Sequence, residues 1–149
     1  MSRFTGDIPA ALSAFRDRTT LRDPVVPKAI RAAEKRLGIP LCDSLSDFLK
    51  VSDGIDDEYG MPLVWNLDEL VKVNLEFRKY PDFKDLYMPF DSMLFFGAYG
   101  NGDQFFYPIL NGKIRNVVFN WNHENDSRTW IANSLMDLLI GVLEQKIQL

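Results

Sequence analysis

The chain has 149 residues, 46% of them hydrophobic and 26% charged, which fits one globular domain and is too apolar for a disordered chain. A formal net charge of −4 argues against nucleic acid or an anionic membrane as direct partner, because both select concentrated basic surface. One cysteine, Cys42, fits a reducing compartment, and there is no signal-peptide profile or apolar run near ~18 residues, so a cytoplasmic protein without a membrane segment is expected.

In chain order, Ile8, Leu12 and Phe15 follow i, i+4, i+7 spacing and predict a short amphipathic helix ending before Arg22-Asp23-Pro24. Residues 1–25 read as an N-terminal extension on a core of 26–147. Pro27 suits a first helical turn, Val26, Ile30, Ala33 and Leu37 share one face, and Gly38 is a natural stop. A third helix is expected from Asp43 to Val51, with Leu45, Phe48 and Leu49 inward and Ser52-Asp53-Gly54 ending it. The tract Asp56-Asp57-Glu58-Tyr59-Gly60 reads as a charged, exposed loop. Leu63-Val64-Trp65 predicts a short buried strand. Asn66 or Asp68 then caps a helix whose apolar face is Leu67, Leu70, Val71 and Phe77. Pro81 to Pro89 is punctuated by prolines and acids and reads as loop.

From Met93 the apolar pattern becomes that of strands. Met93 to Tyr99 and Gln104 to Leu110 flank Gly100-Asn101-Gly102, and Asn111-Gly112 precedes a third run from Asn116 to Trp121. Asn-Gly between apolar runs is a strong short-range hairpin signal. Trp130 marks a fourth short strand. Leu135, Leu138, Leu139, Val142, Leu143 and Ile147 form one helical stripe, opened by Ser134 and Asp137 as a capping box with Asp in place of Glu. Helices, an antiparallel meander from about residue 93 to 130, and a closing helix make a single α+β domain over residues 1–149. One face of its sheet is expected to be helix-covered.

The search for chemistry yields no catalytic, cofactor or metal residue. His123 lies in the polar run His123-Glu124-Asn125-Asp126-Ser127 and reads as part of a turn. One Cys and one His far apart cannot supply a usual zinc set. Cys42 reads as a small buried hydrophobe near a helix start, with a reactive thiolate there as the alternative. Gly97, Gly100 and Gly102 match no phosphate loop. Phe95, Phe96, Phe105, Phe106 and Tyr107 read as core, with an aromatic-lined ligand pocket as the alternative. Asp53, Asp56, Asp57 and Glu58 do not match a calcium loop; they form either a solvated loop or an acidic patch for a basic partner. A protein with these absences is expected to work by binding another protein.

The order of elements resembles the SUKH superfamily. The resemblance rests on Ala33 to Pro40, Leu41 to Gly54, Trp65 to Asn74, Gly100 to Tyr107 and Ile131 to Leu143, and spans roughly Pro27 to Leu143. Ser52-Asp53-Gly54 stands where that pattern usually has Asn-Gly. The resemblance implies an α+β domain without catalytic activity. For most bacterial members it implies an immunity protein that neutralises a cognate polymorphic or contact-dependent toxin, often a nuclease. The alternative is a regulatory or scaffold module of the same fold. A nuclease carries a basic cleft for phosphate, so an acidic surface would steer association and occupy that cleft. The candidate partner-binding residues are Asp53, Asp56, Asp57, Glu58, Asp82 and Asp85, with Tyr59 and Tyr99 as aromatic anchors.

Overall fold

The computed structural model describes residues 6–79, 90–99 and 102–147. Among them, five helices and eight strands follow in the order α1 (Ile8–Ser13), β1 (Thr19–Leu21), α2 (Pro27–Leu37), α3 (Asp43–Leu49), β2 (Ile55–Asp57), β3 (Pro62–Val64), α4 (Leu67–Lys79), β4 (Met93–Ala98), β5 (Gln104–Leu110), β6 (Lys113–Ile114), β7 (Val118–Trp121), β8 (Arg128–Ala132) and α5 (Leu135–Leu143). The predicted loop from Pro81 to Pro89 and the predicted turn residues Gly100-Asn101 lie outside the described residues.

The meander forms as its turn residues require. Strands β4, β5, β7 and β8 pair antiparallel in that order, and β6 adds to the end of β5. Asn111 and Gly112 between β5 and β6 both adopt positive φ, 52° and 72°, the conformation of an Asn-Gly hairpin turn. A second sheet of three short strands, β1-β2-β3, is also antiparallel. The Trp65 N–H donates to Phe96 O at 2.8 Å, which ties the end of β3 to the outer edge of β4. That approach is close enough that a Cβ on Gly97 would sit 1.8 Å from Leu63 O.

Both faces of the main sheet are buried, which corrects the expectation of a single helix-covered face. On one face Phe77 of α4 meets Phe95 at 5.1 Å and Phe90 at 5.7 Å, and Phe90 meets Trp121 at 5.5 Å. On the other, Phe96 lies 4.7 Å from Tyr107, whose hydroxyl is 2.9 Å from Ser44 Oγ of α3. Strand side chains alternate faces, so consecutive buried residues such as Leu94-Phe95-Phe96 and Phe105-Phe106-Tyr107 require cover on both sides. The five aromatics considered as a pocket lining are therefore core. α2 packs on α4, and α5 packs against α3 and β8.

The closing helix α5 begins as the sequence predicts. Ser134 Oγ accepts from the Asp137 N–H at 3.2 Å and donates to Asp137 Oδ2 at 2.7 Å. Leu135, Met136, Leu138, Leu139 and Leu143 are buried, each contributing roughly 1.5–3 kcal/mol before entropy.

The segment set apart as an extension is woven into the fold. Leu12 is buried, the Val25 N–H donates to Leu49 O at 2.8 Å, and β1 pairs along β2 with Thr19 opposite Asp57 and Leu21 opposite Ile55. The predicted loop Asp56–Gly60 is accordingly half strand. Asp56 and Asp57 belong to β2, and only Glu58, Tyr59 and Gly60 are exposed. Three residues with no long apolar run carry too little local signal to announce such a strand; its partner, 34 to 38 residues earlier in the chain, creates it.

Candidate functional site

The β2–β3 hairpin builds the site. Its turn is locked from within: the Asp57 N–H donates to Met61 O at 2.8 Å, and Asp57 Oδ1 accepts from the N–H groups of Tyr59 and Met61, both at 2.9 Å. A carboxylate that bonds the backbone two residues on is a common turn device. It leaves Tyr59 projecting from the tip, 87% exposed.

The hairpin leans toward the ends of β4 and α5, creating a cleft of about 160 Å³ lined by Asp57, Glu58, Tyr59, Tyr99, Arg18, Val142, Leu143 and Gln145. Four of the candidate residues thus meet in one place although Tyr99 is 40 residues from Tyr59 in the chain. Arg18 and Gln145 were not among them. No local signal could have found Arg18, because the Thr19–Asp57 pairing that brings it to the hairpin is long-range.

The remaining candidates divide. Asp56 faces a separate groove of about 340 Å³ bounded by Arg22, Pro62, Trp65 and Glu69, and its carboxylate is held by Arg22 at 2.8 and 3.4 Å. Asp53 sits at the base of the hairpin, where its Oδ1 accepts from the Leu67 N–H at 2.7 Å. It therefore satisfies an orphan donor at the start of α4, while Asn66 Oδ1 takes the Glu69 N–H at 2.8 Å. Asp82 and Asp85 lie outside the described residues. The acidic patch is thus largely engaged internally, and Glu58 forms no ion pair among the described residues.

His123 occupies the expected turn, but its ring is half-buried. Its Nδ1 lies 3.3 Å from Asp103 Oδ1, and Asp103 Oδ2 accepts from Asn120 Nδ2 at 3.1 Å. This acid ties the start of β5 to β7 and to the turn after it. Cys42 is buried 3.9 Å from Ser44 Oγ, and burial pushes its thiol pKa up, outweighing the hydrogen bonds near the start of α3. Desolvation thus works against the thiolate alternative. Among the described residues no group of three or more His, Cys, Asp or Glu is placed to hold a metal ion, and no helix is long and apolar enough to cross a membrane.

Fold and site together define an α+β domain that presents a tyrosine-lined surface cleft beside a short, internally braced hairpin. A family model described as SUKH_6, SMI1-KNR4 cell-wall, matches residues 27–139, and the chain belongs to this SUKH family. No curated protein matches the chain in sequence.

Proposed function

We propose that the chain is an immunity protein that binds and neutralises a cognate bacterial toxin, acting as a binder with no reaction of its own. The observation that carries this reading is the cleft: Tyr59 stands almost fully exposed at the tip of a rigid turn, with Tyr99 and Arg18 beside it. Tyr and Arg are the residue types that dominate protein interfaces, and a braced turn lowers the ordering cost of contact. Family membership supports a protein-interaction role. The net charge of −4 favours a basic toxin, such as a nuclease whose substrate surface the domain would occupy. Such a protein acts in the cytoplasm of the cell that carries it.

The test is co-expression with the C-terminal toxin domain of a large secreted protein encoded next to this gene. A stable complex is expected, and Tyr59→Ala should weaken it by about thirtyfold, the cost of an interface hot spot. Absence of a complex overturns the toxin reading. A complex indifferent to both Tyr59→Ala and Tyr99→Ala overturns the cleft as its contact face.

The family's description, which refers to the cell wall, favours a second reading in which the same face holds an endogenous regulatory protein. Cells lacking the gene would then show a cell-wall defect in the absence of any toxin.

A further inference from the structure

We propose that the tyrosine cleft receives an arginine side chain of the partner, its guanidinium lying against Tyr59 and Tyr99; the inference rests on the reading of this cleft as the binding face. Aromatic rings attract cations through their negative faces, and the planar guanidinium stacks on them better than an ammonium does. Tyr59 and Tyr99 line the same small cleft, and the half-buried Val142 offers apolar surface for the methylene stem of an arginine.

Charge selects the same ligand. Among the described residues that line the cleft, Asp57 and Glu58 stand against one cation, Arg18. One oxygen of Asp57 holds the turn, and Glu58 stands exposed beside it. The hairpin already binds one guanidinium on its other side, where Arg22 grips Asp56. Arg18 opposes a second cation, and this residue comes from the segment before Pro27 that the family model does not cover. Its removal should therefore strengthen binding, a sign that a merely structural role would not produce.

The experiment is a two-dimensional amide NMR titration of the full chain with N-acetyl-arginine amide, and with the lysine and aspartate counterparts as comparators. The arginine compound should shift the amides of Tyr59, Tyr99 and Gln145, the lysine compound less, and the aspartate compound not at all. Tyr59→Leu should weaken arginine binding about two- to fivefold, and Arg18→Ala should strengthen it by a similar factor. Each variant's own spectrum reports whether it is folded. No shift with arginine, equal shifts with lysine or aspartate, or weaker binding in a folded Arg18→Ala protein would each overturn the assignment. A toxin complex that depends on Tyr59 while the cleft ignores arginine sinks this inference alone; loss of the toxin complex with arginine binding intact sinks the functional reading alone.

Discussion

The side chain of Asn74, in the middle of α4, pairs with the backbone of Phe95 in β4 as a neighbouring strand would. Its Nδ2 donates to Phe95 O at 2.7 Å and to Leu70 O at 2.8 Å, and its Oδ1 accepts from the Phe95 N–H at 2.8 Å. β4 is the outer strand of its sheet, so these groups would otherwise be buried without partners. One helical amide thus finishes the edge of the sheet and sets the height of α4 over it.

Asn74→Ala should destabilise the protein by about 2–4 kcal/mol, because it strands a buried donor and acceptor of Phe95. Asn74→Asp should cost at least as much, since it places an oxygen against two carbonyls. Urea denaturation measures both. A midpoint unchanged in Asn74→Ala would mean that Phe95 finds other partners.

Gly97 marks the second contact on that edge. Its added Cβ would collide with the backbone of Leu63, which has no flexible end to move. Gly97→Ala should cost about 3 kcal/mol or more, as overpacking against backbone does, and should loosen the hairpin that carries Tyr59. Amide exchange at Leu63 and Val64 should rise in the variant; protection equal to the parent's would contradict the close approach.

Asp53 and Glu58 lie five residues apart and should separate cleanly in experiment. Asp53→Ala removes a helix-start acceptor and should lower stability by about 0.5–2 kcal/mol with association to the proposed toxin unchanged. Glu58→Lys should leave the melting temperature nearly unaltered but slow association and reduce its salt sensitivity. Stopped-flow rates at two ionic strengths decide; equal rates for Glu58→Lys remove that residue from the interface.

Cys42 carries the pH prediction. Burial raises its thiol pKa above the ordinary 9.0, so at higher pH the unfolded chain loses this proton before the folded one does. The folded state then binds more protons, and stability falls as pH rises past 9.0, while below it the contribution is fully present. Cys42→Ala should show a shallower decline of unfolding free energy between neutral and strongly alkaline pH than the parent. Native alkylation should also be slow, and rapid modification at neutral pH would contradict the burial.

Much of the architecture was legible because it rests on local chemistry. Pro27 and Gly38 bracket α2, Ser134 and Asp137 open α5, and Asn111-Gly112 turns β5 into β6. Each signal is read over a few residues. The burial of both sheet faces went against the expectation of one covered face, although Leu94-Phe95-Phe96 and Phe105-Phe106-Tyr107 are unbroken apolar runs of the kind a strand covered on both sides carries.

The candidate site was legible as residue types but not as a place. Tyr59, Tyr99 and the acids between Asp53 and Glu58 stand out in the chain by their chemistry. Sequence alone could not tell that Asp53 is spent on α4, that Asp56 is held by Arg22, or that Arg18 enters the cleft. Those assignments depend on β1 pairing with β2 and on α5 ending beside Tyr99. Composition, turn chemistry and apolar period determined the class of fold, since they act between neighbours along the chain. Which charges remain free to meet a partner was decided only by tertiary structure, because a carboxylate's availability depends on what long-range packing sets against it.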